Sequence, residues 1–399
     1  MILKRKNNQD YVGPATLFNP LYVPPKILFR KKEQNSLLSI LNDSFSDQYS
    51  INILYQGIEG IGKKTIVNKV LEDLFQKENN INDYFKINID CKDKTPEELI
   101  FSLITTLIID LETNLRIDSL IHSEISQLWS VFKLICKKID KNILLILNNS
   151  EYLEPKAQKK FLTFGKESNI TIISTFNKVL RSSALDLISN YDIKRKLNYF
   201  TYKQLLAIFQ QRVHLTFPHQ IDKDLIYFMS DLILDNYVPV PGPGINILRD
   251  LYPILQKKDS IQYNMMLEIC ENHFDSIKNI DEFNLLNYVE EENILTKLFL
   301  DNLSNYFINK NFTYYISLKD LRELYFVSCE SLEYDKKLEE FVQLISKFIG
   351  LGILCPSKKH DSKAQNIILE TEFLNNLYFM TINPKKLKIV LDAAFGKLN

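Results

Sequence analysis

"INILYQGIEGIGKKTIVNKVLEDLFQ" (51–76) decides the fold. Its first five residues are a short apolar run ending at glycines, the pattern of a strand buried on both faces of a parallel sheet. "TIVNKVLEDLFQ" (65–76) sets Ile66, Val67, Val70, Leu71, Leu74 and Phe75 on one face of a helix. Between strand and helix lie Gly57, Gly60, Ile61, Gly62 and Lys63, with the spacing G-x-x-x-x-G-K. Backbone N–H groups of such a loop, with the positive end of the following helix, hold phosphates, and the lysine adds charge. The next position should carry a hydroxyl for Mg²⁺. It is Lys64, and an ammonium has only donors, so it cannot ligate a cation. Thr65 is one residue too late, turned about 100° around the helix.

Working outward, "YFKINID" (84–90), "NILLIL" (142–147) and "NITIIS" (169–174) read as further strands. "TPEELIFSLITTLIIDL" (95–111) reads as a helix, with Pro96 at its start and Glu97 and Glu98 in its first turn. Strands alternating with helices predict an α/β three-layer sandwich around a parallel sheet. After about residue 200 the strands stop. "TYKQLLAIFQQRVHLTF", "DKDLIYFMSDLIL" and "INILRDLYPILQ" are predicted helices, with "VPVPGPG" (238–244) as a rigid turn. From Asp281, three helices and two short strands around "PSKKHDSKAQN" predict a winged helix-turn-helix, with Phe307, Phe312, Tyr314, Tyr315 and Tyr325 in its core.

A nucleotide hydrolase of this kind needs an apolar strand ending in Asp, followed by Glu. The strand "ILLIL" is present, but Asn148 and Asn149 follow, then "SEYLE". An amide brings no negative charge for Mg²⁺, and Asn149 cannot serve as a general base. Glu151 lies beyond the strand end. Loss of magnesium-dependent hydrolysis accounts for the departures at 64, 148 and 149 together.

Composition narrows the rest. The 399 residues are 45% hydrophobic and 25% charged, with formal net charge zero, which removes the easy argument for a nucleic-acid partner. Charge is uneven: residues 1–34 carry seven Lys/Arg against Asp10 and Glu33, while 281–399 carry 14 Lys/Arg and 17 Asp/Glu. Five cysteines with no C-x-x-C pair and five scattered histidines predict neither a disulfide framework nor a metal cluster. No run of 18 apolar residues suggests a membrane span. The start "MILKRKNNQD" is too short and polar for a signal peptide.

With these residues in place, the chain resembles the AAA+ replication initiators, the archaeal origin-recognition/cell-division-cycle proteins and the eukaryotic origin recognition complex subunits. "NPLYVPPKILFRKKEQNSLLSIL" (19–41) is similar to the family's segment before the first strand, where Tyr22, Val23, Pro24, Ile27, Arg30 and Gln34 fit. "FKINIDCKDKTPEELIFSLITTL" resembles the segment containing the initiator-specific helix. "NYFTYKQLLAIFQQRV" resembles the opening of the lid, where the family places an aromatic and, twelve residues on, an arginine near the nucleotide. Phe200 and Arg212 have that spacing. "KFIGLGILCPSKK" resembles the recognition helix leading into the wing. Against the family pattern, "LDLISNYD" (185–192) has no arginine finger, Arg249 is out of register as a lid sensor, and Thr175 or Asn177 stands as a polar sensor.

The resemblance implies an AAA+ P-loop NTPase fold with a basic N-terminal arm (1–34), a nucleotide-binding core (35–199), a helical lid (200–280) and a C-terminal winged-helix domain (281–399). It implies ATP or ADP held by Gly57, Gly60, Ile61, Gly62, Lys63, Lys64 and Thr65, with Val23, Arg30, Phe200 and Arg212 contributing; the ammonium at 64, a departure from the family, predicts binding that depends little on Mg²⁺. It implies double-stranded origin DNA as a partner, met by Lys336 and Lys337 of the recognition helix and by Lys358, Lys359, His360 and Lys363 of the wing. Paralogous initiator subunits or a replicative helicase are the implied protein partners. The location would be cytoplasm or nucleoid in an archaeon and nucleus in a eukaryote, with no membrane. Two other readings remain: an active ATP-dependent initiator with rearranged metal ligands, and an interaction module that has left DNA.

Overall fold

The apolar runs become neighbouring strands in a computed structural model of the chain. It describes residues 11–77, 84–110, 120, 123–139, 141–178, 185–274, 288–289, 291–310, 312–360 and 376–396. Two compact units form: Leu21–Tyr199, and Phe200–Asn399 together with residues up to Pro20. One helical turn, α1 (Ala15–Phe18), belongs to the second unit.

In the first unit the order is α2 (Lys31–Ser46), β1 (Asn52–Gln56), α3 (Lys63–Lys77), β2 (Tyr84–Asp90), α4 (Pro96–Asp110), α5 (Ile125–Lys138), β3 (Asn142–Asn148), α6 (Pro155–Glu167), β4 (Ile170–Phe176), α7 (Leu185–Ile188) and β5 (Ile193–Lys196). The strands form one parallel sheet in the order β2-β3-β4-β1-β5. Parallel neighbours need crossover connections, and the helices supply them. Side chains of α4, α5 and α6 bury a core with β2, β3 and β4 that includes Leu103, Phe132, Leu145, Phe161 and Ile172. Gly165 of α6 touches the sheet so closely that a Cβ there would overlap Ile172 and the Ile170 carbonyl.

Register matters most for the site. Asp90 stands opposite Asn148, Leu147 opposite Ser174, and Gln56 opposite Phe176. The carboxyl ends of β1 to β4 therefore lie together, where open α/β sheets bind ligands. β5 was not expected from the sequence. Its four residues, IKRK, leave three side chains exposed, so it reads as a charged edge strand and gives no apolar run.

The second unit is helical: α8 (Tyr202–Thr216), α9 (Lys223–Asn236), α10 (Pro241–Leu255) and α11 (Tyr263–Glu271). A capping box starts α8, in which Thr201 accepts from the Gln204 N–H and Gln204 from the Thr201 N–H. The expected rigid turn at 238–244 is shorter than read. Pro241-Gly-Pro-Gly244 is the first turn of α10, where proline loses no intrahelical bond. Gly244 is buried against the Phe209 ring, where a Cβ would overlap it.

Beyond lie α12 (Ile294–Asn309), β6 (Ile316–Ser317), α13 (Leu318–Ser331), α14 (Leu338–Gly350), β7 (Leu354–Pro356), β8 (Leu377–Met380) and α15 (Pro384–Gly396). The three strands form an antiparallel sheet in the order β6-β8-β7. Phe307, Tyr314, Tyr315 and Tyr325 are buried as expected, but Phe312 is half exposed. Asp231 of α9 is buried and accepts from the Tyr315 hydroxyl (2.7 Å), the Ser357 hydroxyl (2.6 Å) and the Lys358 N–H (3.1 Å). Burial pushes its pKa up, although these hydrogen bonds pull the other way. Among the described residues no helix is long and apolar enough to cross a membrane.

Candidate nucleotide-binding site

The loop after β1 has the backbone that its glycines predict. Gly57, Gly60 and Gly62 have φ of 154°, 79° and 99°, values that side chains with a Cβ rarely adopt. Ile61 is fully buried beneath the loop. Lys63 opens α3 and turns back over the loop: its ammonium donates to the carbonyls of Gly57 (2.6 Å) and Ile58 (2.9 Å). Burial lowers its pKa to about 8, against the raising influence of Glu151 and Glu59 and with Lys64 adding to the fall. A desolvated ammonium within a loop of left-handed glycines, at a helix N-terminus, suits a phosphate group. Thr65 is half-buried one position further along α3.

Lys64 meets a residue that sequence reasoning missed. Its ammonium lies 2.9 Å from Asp90 Oδ2 at the end of β2. Asp90 Oδ1 accepts from Asn149 Nδ2 (2.6 Å) and from the Lys92 N–H (3.1 Å). Burial works to raise the Asp90 pKa, but the bonds from Lys64, Lys92 and Asn149 outweigh it and the net shift is downward. The cross-strand register is the signal that finds Asp90, and it is invisible along the chain.

The two asparagines are fixed in turn. Asn148 Nδ2 donates to Asn88 Oδ1 (2.6 Å). Asn149 has left-handed backbone (φ 53°), which asparagine tolerates. Its N–H donates to Thr175 Oγ1 (3.2 Å), and its Oδ1 accepts from Asn177 Nδ2 (3.0 Å). The Asn177 N–H donates to Glu151 Oε1 (3.1 Å). Both polar-sensor candidates thus join one network with Asn149. Where a divalent ion would need oxygen ligands, this site presents an ammonium, a carboxylate paired with it, two amides held by neighbours, and the Glu151 carboxylate, whose buried Oε2 has no hydrogen-bond partner among the described residues. The glycine loop and Lys63 fit a phosphate group.

The other expected nucleotide contacts are placed as follows. Val23 is half-buried in the segment before α2. Arg30 is buried; its guanidinium donates to the Asn198 carbonyl (2.7 Å) and Glu33 (3.2 Å), and burial lowers its pKa despite Glu33. Phe200 and Arg212 belong to the second unit. Phe200 is buried, its N–H donating to the Pro239 carbonyl (3.1 Å). Arg212 donates to the Thr16 carbonyl (2.6 Å). Arg249 sits on α10 with its guanidinium beside Asp250.

Of the expected DNA contacts, Lys336 pairs with Glu330, and Lys337 with Glu340 at 3.0 Å. Lys347, within α14, pairs with Glu292. Lys358 is exposed. Lys359 is held by Asp224 (2.6 Å) and lies over the rings of Tyr227 and Tyr315. The His360 backbone closes the same turn, and Lys363 lies outside the described residues.

No family model matches the sequence, and no curated protein matches it. Solved structures do. Cdc6p of Pyrobaculum aerophilum superposes with a TM-score of 0.69 at 15% identity, over 96% of this chain and 98% of that one. The ORC1 protein of Aeropyrum pernix, in complex with DNA, gives 0.55 at 15% identity over 97% and 98%. The ORC2 protein of the same organism, in ADPNP–ADP complexes, gives 0.53 at 13% identity over 97% and 99%. Identities this low speak for architecture alone: over nearly its whole length, the chain has the α/β AAA+ fold of these proteins.

Proposed function

We propose that the chain is an initiator-type AAA+ subunit that binds ATP or ADP without magnesium and does not hydrolyse it. One observation carries this reading: the Lys64–Asp90–Asn149 network. The Lys64 ammonium pairs with the Asp90 carboxylate, and Asn149, where the family pattern has its acid, is an amide that donates to Asp90. Neutralising phosphate charge is then the task of Lys63 and Lys64. Loss of a general base alone costs ~10²–10⁴ in rate. In the wider reading, the subunit acts in origin recognition, bound to duplex DNA and to paralogous subunits or a replicative helicase. Fold likeness to Cdc6p and to an ORC1 crystallised with DNA supports it. The C-terminal block would be the winged helix of that architecture.

Nucleotide titrations with and without a chelator, together with ATP turnover, provide the test. Expected are equal affinities within about twofold and no turnover above background. Strict magnesium dependence, or turnover abolished by Lys63→Ala, would support the rival reading of an active enzyme with rearranged ligands.

A further inference from the structure

Among the described residues, six of the seven lysines of α5 and α6 lack a carboxylate partner; the seventh, Lys166, pairs with Asp192 at 2.7 Å. Lys133, Lys137 and Lys138 lie on α5; Lys156, Lys159 and Lys160 lie on α6. Among the described residues none of the six makes an ion pair. By contrast, the lysines beside and within α14, and Lys359 beyond β7, are each held by a carboxylate. The two helices are locked side by side by the Trp129 ring, edge-on to Phe161 (4.9 Å) and Phe164 (5.5 Å). The Lys160 ammonium sits 4.6 Å from the centre of the Trp129 ring, and Lys133 lies 5.2 Å from that of Phe164. Between the helices runs an open groove of about 320 Å³, lined by Lys133, Lys156, Lys159 and Lys160 over Trp129, with Glu167 as its one acid.

We infer that this α5–α6 face binds the phosphate backbone of duplex DNA without reading sequence. The inference rests on the DNA-bound reading above and relocates the contact from the C-terminal block to the sheet-bearing unit. Charge supports it. The whole chain is neutral, so a groove lined by four lysines and one acid, with two more lysines on α5, is a local field, not an overall one. Lysines at i, i+3 and i+4 lie about 5–6 Å apart along a helix. Such a row suits a polymer with one charge per ~1.7 Å of axis. Protein interfaces, in contrast, are depleted in lysine and built on exposed aromatic or arginine anchors. Here the aromatic rings are buried and α5 and α6 contain no arginine. Lysine ammoniums are point charges with no base-reading fork, so the contact positions DNA and does not select sequence.

Trp129 makes the face directly observable, because it is the only tryptophan of the chain. Titrating the full-length protein with a random-sequence duplex at low salt should change Trp129 emission saturably, and added salt should reverse the change. Lys156→Gln/Lys159→Gln/Lys160→Gln keeps most of each stem. It should weaken binding and lower the slope of log affinity against log salt by roughly 0.9 for each phosphate no longer neutralised, to a maximum of about 2.7. The matched triple Lys336→Gln/Lys337→Gln/Lys347→Gln should bind as the unmodified protein does. Should the α6 variant fail to fold, the salt-reversible Trp129 response of the unmodified chain still decides. An unchanged slope in the folded α6 variant, or duplex binding with silent Trp129, overturns this inference while leaving DNA binding intact. Absence of any duplex binding overturns both. Tighter binding of polyglutamate than of duplex at equal charge would assign the face to an acidic protein and overturn it as well.

Discussion

Asn149→Asp restores an acid at the end of β3, yet it is expected to destabilise the protein. Asn149 Nδ2 donates to Asp90 Oδ1 at 2.6 Å, and a hydrogen bond to a charged acceptor is worth about 1.5–3 kcal/mol net. The substitution removes that bond and sets two carboxylates against each other. At 4 Å their repulsion is about 1 kcal/mol in water and about 4 kcal/mol near a protein surface. Asp90 is half exposed but Asn149 is buried, so the repulsion lies between the two figures. The Asn177 amide would bond the new carboxylate more strongly than it bonds the Asn149 amide, offsetting about 1 kcal/mol. The net loss should be about 1.5–6 kcal/mol at pH 8. Aspartate tolerates the left-handed backbone at 149 as asparagine does, which leaves electrostatics as the cause. Asp90→Asn/Asn149→Asp rebuilds the bond with donor and acceptor exchanged and loses the exposed Lys64 pair, worth 0 to about 1 kcal/mol, and the bond from the exposed Lys92 N–H. It should therefore recover most of the loss. In the single variant, the shared proton of the carboxylate pair has a raised pKa in the folded state. Its destabilisation is then full above that pKa and fades as pH falls through it. Urea unfolding followed by Trp129 emission reports on the same unit. A single variant as stable as the parent at pH 8, or a double variant showing no coupling, would refute the reasoning.

Lys63, with its pKa lowered to about 8 by burial, should bind nucleotide with constant affinity below pH 8 and lose up to tenfold per unit above it, as calorimetry across pH 7–9 would read. The sign for stability is opposite. The folded state binds fewer protons than the unfolded one between about 8 and 10.5, so ligand-free stability should rise over that range, and Lys63→Met should flatten the rise. Gly244→Ala would force a Cβ into the Phe209 ring and should cost about 1–3 kcal/mol as overpacking, seen as a lowered Tm with unchanged nucleotide affinity.

The strands that lie wholly inside the sheet were legible, because Ile53, Leu145 and Ile173 are buried whichever way they point and a run without alternation can be nothing else at that length. The charged edge strand β5 was not, since solvent on its outer side lifts the constraint that makes a pattern. Pro241 and Gly244 read as a turn because their local preference says so; the Phe209 ring, over thirty residues away, decides otherwise. The phosphate loop was legible for a further reason: its glycines answer to backbone angles that no tertiary partner has to specify. The acid of the site was not. Asp90 closes a strand of ordinary appearance, and only the pairing of Asp90 with Asn148 brings it to Asn149 and Lys64. Taken one at a time, Lys64, Asn148 and Asn149 look like three losses. Through the register, Lys64 and Asn149 share one neighbour, because both meet the carboxylate of Asp90.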